Sequence, residues 1–269
     1  MIQRYDLDNV ADFEYLVHGC QSHGGYGVVP RRTGYGRIPG VVAVGEYPDM
    51  LVKPADYKEV ILRCHAEQRF PLYHQRASWG PPGFRWNQNG LGYCWAWSGT
   101  GTLMDCRARE GKPVPILSPV SLGWLVDWRN QGNYLEDCIR GLMERGVCEM
   151  KYTPDQHSRS HRQYEKGWEE NALQYRLAEG EVFDADNSTR KAMIQHAISI
   201  LATGTPCYIA YNWWGHALEL VAVEWDESAT NNLRWKLRNS HNEDDVIELE
   251  GSRAVPDELY GFGATLTQL

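Results

Sequence analysis

The hydrophobic period of the chain changes after residue 204, and this change bounds the fold more tightly than any other feature. Within residues 134–145 the apolar side chains Leu135, Cys138, Ile139, Leu142 and Met143 recur at helical spacing. Asn133 is placed to cap the N-terminus and Gly146 the C-terminus. Ser188 is placed to cap a second helix with the stripe Met193, Ile194, Ala197, Ile198 and Leu201, which Gly204 and Pro206 end. Residues 207–211, 216–225 and 233–240 then read as strands, and 228–232 as a hairpin turn. Helices first and strands afterwards predict an α+β fold, a helical part packed on an antiparallel sheet or barrel.

Upstream of these elements the chain reads differently. Residues 1–50 are Gly-rich and aperiodic, with six Gly and three Arg between His23 and Gly40. They predict an irregular arm or cover. As a phosphate cradle the arm lacks the strand–Gly–helix context. Residues 56–67 carry Val60, Ile61 and Cys64 at helical spacing, and 76–93 are loop-like. The expected organisation is an N-terminal extension over 1–75 and one larger domain over 76–269. A chain of 269 residues can bury a core without metal or disulfide staples.

Composition narrows the functional classes. The 27 Lys+Arg against 35 Asp+Glu, a net charge of −8, argue against a nucleic-acid binder. No apolar run approaches the roughly 18 residues of a membrane span. The start, MIQRYDLDNV, lacks a basic segment followed by an apolar one, so a cytoplasmic protein with reduced thiols is expected. Seven Cys cannot all pair within one chain. His18, Cys20 and His23 have no matching second cluster. His157 and His161, and Glu243 to Asp245, read as solvated segments, so no metal is expected.

One segment carries chemistry. In Gln88-Asn-Gly-Leu-Gly-Tyr-Cys94-Trp-Ala-Trp-Ser98, Gly90 and Gly92 make a loop, and the residues after Cys94 become helix-compatible. A thiol at a helix N-terminus meets unpaired N–H groups and the positive dipole end, which favour the nucleophilic thiolate and can hold an oxyanion. Gln88 can bring an amide to the same place. The thiolate needs a partner, and His216 follows Gly215 at the start of an apolar strand. Asn239 ends the next strand, and antiparallel pairing brings the start of one strand near the end of the next. An Asn oxygen accepting from one ring N–H would turn the other nitrogen toward Cys94.

These residues resemble the papain-like cysteine peptidases. The oxyanion Gln, nucleophile Cys, His and Asn of that family match Gln88, Cys94, His216 and Asn239 in chain order. The Cys-Trp-Ala-aromatic-Ser run and the segment Ser118-Pro119-Val120-Ser121 fit as well. The likeness spans about residues 76–269, and a phage or bacterial representative is one candidate source. It implies a helical left domain carrying Cys94 against a β-barrel-like right domain carrying His216 and Asn239, a peptide-bond hydrolase without metal or organic cofactor, and a peptide or protein substrate. Gly132 stands at the family's substrate-backbone-binding turn. With it, Gly92, Gly215, Trp213 and Trp214 are the candidate substrate-contacting residues, the two Trp as an aromatic rim.

The chain departs from the pattern at three points. Leu91 replaces a disulfide Cys, and His241 replaces the aromatic that covers the His–Asn bond. The first 75 residues lack the long charged helices of the inhibitory propeptide. Ordinary zymogen control is therefore not expected, although the Gly-rich arm could cover the cleft. Of 11 Trp, four (Trp95, Trp97, Trp213, Trp214) lie within three residues of Cys94 or His216 and are expected to wall that cleft. The other six Cys read as structural. An alternative of a different class is a structural or binding component of a larger assembly, such as a virion, built on the same fold with weak or no activity and contacting other protein subunits. A cell-wall amidase or transferase using the same chemistry is a lesser third reading.

Overall fold

The computed structural model describes residues 2–18, 27–70, 86–88, 90–240 and 246–263. In chain order the main elements are β1 (Gln3–Asp6), α1 (Val10–His18), β2 (Val42–Ala43), α2 (Tyr57–Ala66), α3 (Cys94–Arg109), α4 (Leu135–Glu144), α5 (Trp168–Ala172) and β3 (Val182–Asp184). They continue with α6 (Arg190–Ala202), β4 (Cys207–Tyr211), β5 (His216–Trp225), β6 (Leu233–Arg238), β7 (Val246–Glu250) and β8 (Glu258–Phe262). This is an α+β fold on one eight-stranded sheet, ordered β1-β7-β6-β5-β4-β8-β3-β2. Its six central strands pair antiparallel, while β1 and β2 join the two ends in parallel.

Residues 3–18, expected to be irregular, form β1 and α1. Neither leaves a local trace. The four residues of β1 are stabilised by pairing with β7, from Gln3 with Ile247 to Asp6 with Glu250, across most of the sequence. In α1 only Leu16 is buried, so no apolar stripe marks the helix. Two caps also move by one residue. Thr189, not Ser188, caps α6 by accepting the Ala192 N–H at 3.1 Å. Tyr134, not Asn133, holds the N-cap position of α4. Gly146 and Gly204, both with positive φ, end α4 and α6 where they were expected to.

The sheet is covered on both faces, and the strand period of two sorts the side chains. On β4, Cys207, Ile209 and Tyr211 join one core with α2 and α6, including Val60, Ile61, Ile198 and Leu201. Tyr208 and Ala210 join the other, with Trp95, Leu103, Cys138 and Ile139 of α3 and α4. Every residue of α3 from Cys94 to Cys106 is buried, so the helix that starts at Cys94 is central. A Cβ on Gly99 would stand 2.7 Å from Cys138 Sγ, which is how α4 approaches it closely. Among the described residues no helix is long and apolar enough to cross a membrane.

Candidate active site

The loop before α3 is held by its own polar groups. Gln88 is buried. Its Oε1 accepts from Ser240 Oγ at 2.6 Å and its Nε2 donates to Leu91 O at 2.8 Å. Its backbone N–H donates to Ser240 O at 3.0 Å. Gln88 therefore ties the loop to the end of β6, using one amide proton on the loop itself. Gly92 N–H donates to Asn130 Oδ1 at 2.7 Å, and Gly92 O accepts from Trp95 Nε1 at 3.1 Å. Trp95 O in turn accepts from Tyr208 O–H at 2.7 Å. These bonds fix where α3 begins and hence where Cys94 stands. Trp95 and Trp97, expected in the cleft wall, are fully buried in the core. They sit on a helix enclosed on all sides.

On the sheet side, His216 begins β5 opposite Tyr211. The next backbone N–H, from Ala217, donates to Cys94 Sγ at 3.4 Å, so α3 and β5 meet at the sulfur. His216 Nε2 lies 2.9 Å from Asn239 Oδ1. That oxygen also accepts the Ser240 N–H at 2.8 Å, which fixes the orientation of the amide. Nε2 is then the donor, and in the neutral ring Nδ1 carries the lone pair. The β5–β6 register, Glu219 with Arg238, carries Asn239 just beyond the ladder toward His216. The Trp214 ring lies on the imidazole at 4.9 Å between centroids and is itself buried. His241 falls outside the described residues. Trp213 stacks on Trp214 and packs on Phe13 at 5.1 Å.

The electrostatics differ from the thiolate expectation. Burial pushes the Cys94 thiol up to about 11. Backbone N–H groups of Ala217, Gly27, Trp95 and Cys94 itself offset that only in part. In this state the protonated thiol is favoured, because desolvation outweighs the helix-terminus field.

Gly27 enters this balance because the N-terminal arm passes over the sulfur. Val28 N–H donates to Gly215 O at 3.0 Å. Asn133 N–H donates to Gly27 O at 2.7 Å, and Val29 N–H to Asn133 O at 3.0 Å. Val28 and Asn133 thus form a parallel bridge. A Cβ on Gly27 would stand 2.0 Å from Gly92 O, and one on Gly132 2.7 Å from Gly27 O. Gly92, Gly132 and Gly215 all lie against the arm, whose backbone partner is Asn133 rather than Gly132. In the sequence Asn133 reads as a helix cap and Ser240 as the neighbour of Asn239, and their bonds to Gly27 and Gln88 come only with the tertiary structure. The six described Cys, at positions 64, 94, 106, 138, 148 and 207, are free and buried. Cys20 lies outside the described residues, as do His23 and Glu243 to Asp245. Among the described residues no group of His, Cys, Asp or Glu is arranged to hold a metal ion.

No family model matches the sequence, and no curated protein does. Solved structures do match the fold, and they are papain-like cysteine proteases. Xylellain, a cysteine protease from Xylella fastidiosa, superposes with a TM-score of 0.58 at 16% identity, over 90% of this chain and 97% of its own. Digestive procathepsin L 3 of the Tenebrio molitor larval midgut gives 0.52 at 14% identity, over 65% of each chain. The Carica candamarcensis cysteine protease CMS1MS2, in complex with E-64, gives 0.50 at 16% identity, over 71% of this chain and 96% of its own. The papain-like fold is thereby established for this chain.

Proposed function

We propose that the chain is a cysteine peptidase whose N-terminal arm holds it latent, acting on a peptide or protein substrate. The observation that carries the reading is the convergence at one point of the α3 N-terminus, the His216–Asn239 pair and the sulfur of Cys94. When a substrate replaces the arm, His216 Nδ1 takes the thiol proton and the resulting pair is held by charge. The sulfur attacks the scissile carbonyl carbon and forms a C–S bond. The negative oxygen is held by the Cys94 N–H and the second amide proton of Gln88. His216 returns the proton to the departing amine as the C–N bond breaks, leaving a thioester. Water, deprotonated by His216, then releases the acid and restores the thiol. Asn239 keeps the ring in the tautomer these transfers need.

Thiol-directed labelling with a papain-type covalent inhibitor tests this. The full chain labels stoichiometrically at Cys94, Cys94→Ala abolishes both labelling there and peptide cleavage, and His216→Ala slows labelling. Gln88→Ala lowers kcat by about 10²–10³-fold, the usual loss on removing one oxyanion donor. A Cys94 that reacts no faster than a free thiol once the arm is displaced overturns the proposal.

A further inference from the structure

The N-terminal helix reaches the imidazole through a column of rings. The Arg253 guanidinium carbon lies 4.2 Å from the centre of the Phe13 ring on α1. Phe13 packs on Trp213 at 5.1 Å, and Trp213 stacks on Trp214 at 5.6 Å with 15° between the planes. Trp214 meets the His216 ring at 4.9 Å. Tyr211, the register partner of His216 on β4, flanks the column, 5.6 Å from Trp213 and 6.4 Å from Trp214. Its hydroxyl is engaged by Ala254 O at 2.7 Å. The outer end is fastened as well. Just before α1, both Asp8 carboxylate oxygens accept the Ser252 N–H at 2.9 Å, and Oδ2 also accepts the Thr230 hydroxyl at 3.0 Å. Leu16 of α1 is buried in the same core as Trp214.

The two indoles are suited to this place by their faces. Each Nε1 is buried without an acceptor among the described residues. A buried indole N–H usually finds a partner, and an unpaired one costs stability. Phe or Leu would fill a packing site without that cost. What the indole adds is a broad π face, which attracts a cation. In the cycle proposed above, His216 becomes imidazolium while enclosed, where desolvation disfavours the charge. Asn239 accepts from the edge of the ring through Nε2, and Cys94 of α3 approaches at the neighbouring Ala217 N–H. Trp214 adds attraction across the ring itself.

We propose that Phe13, Trp213 and Trp214 are positioning residues: α1 braces the indole pair against His216, and the Trp214 ring there favours the imidazolium. The proposal rests on the peptidase reading above. It brings α1, some eighty residues before Cys94, into the catalytic unit.

The test titrates His216 by NMR in the full chain carrying Cys94→Ala, its resonance assigned with His216→Gln. Trp214→Leu is expected to lower the midpoint by about 0.5–1 pH unit, the size of one lost cation–π contact. Trp214→Phe, with a smaller face, falls in between. Phe13→Ala lowers the midpoint in the same direction, and Phe13→Tyr, which keeps the ring, leaves it in place. The sign separates bracing from mere loosening, because water admitted to a loosened core favours the charged form and raises the midpoint. An unchanged or raised midpoint in either Trp214→Leu or Phe13→Ala overturns the proposal. Should Trp214→Leu fail to fold, Trp214→Phe is read in its place by the same criterion. Midpoints that fall as expected, with Cys94 of the unsubstituted site labelling no faster than a free thiol once the arm is displaced, keep the brace and sink the peptidase reading instead.

Discussion

Gly27→Ala speeds covalent labelling of Cys94 in the full chain by at least tenfold. The added Cβ would stand 2.0 Å from Gly92 O, a backbone atom that cannot retreat. Gly92 is pinned on both sides, its oxygen by Trp95 Nε1 and its N–H by Asn130. The arm must leave, taking with it the bonds of Val28 to Gly215, Asn133 to Gly27 and Val29 to Asn133. At roughly 0.5–1.5 kcal/mol each, these three contribute about 1.5–4.5 kcal/mol to arm docking. Their loss lowers arm occupancy by a factor of roughly ten to a thousand. Departure of the arm also rehydrates the sulfur, removing the burial that pushes the thiol up. Gly132→Ala, whose Cβ would meet Gly27 O at 2.7 Å, should act in the same direction. An unchanged labelling rate in both variants would show that the arm does not gate the sulfur.

Asp105→Ala lowers stability by about 3–5 kcal/mol, which for a chain of this size is a fall in Tm of about 10 °C or more. Asp105 is fully buried on the C-terminal half of α3, and its Oδ2 lies 3.3 Å from Nη1 of the equally enclosed Arg238 on β6. Glu219 of β5 stands 3.9 Å from the same nitrogen. Removing the Asp105 carboxylate leaves the guanidinium in the interior with the more distant Glu219 as its carboxylate neighbour. The double change Asp105→Ala with Arg238→Met is expected to cost less than Asp105→Ala alone, because the buried guanidinium that lost its nearer carboxylate is then gone as well. Thermal denaturation of the three variants measures this. A loss below about 1 kcal/mol for Asp105→Ala would remove the pair from any role in holding α3 on the sheet. Arg238 also precedes Asn239, so the pair links α3 to the strand whose end bonds His216.

Much of the frame was legible without coordinates. Strands β4 and β5 have the boundaries that apolar content and turn residues predict, because both lie in the sheet interior and bury mostly apolar side chains. The start of α3 at Cys94 was legible from the glycine loop before it. The hairpin logic that paired His216 with Asn239 rests on a local connection, which is why it could be seen. β1 was not legible, since its partner β7 is more than two hundred residues away and its own side chains are half exposed. Nor was the fate of Gln88. An amide six residues before a nucleophile can point to an oxyanion or brace its loop, and only the approach of Ser240 shows how far bracing occupies it.

From residue order alone come the α+β succession and the ordered set Gln88, Cys94, His216 and Asn239, because helix and strand periods and loop chemistry are local properties of a chain. What tertiary structure alone decided is the state of that set. The arm lies on the sulfur, burial pushes the thiol up, and a buried acidic cluster holds Arg31. These depend on which distant segments share a desolvated space, and desolvation is a property of the packed molecule that no stretch of sequence carries by itself.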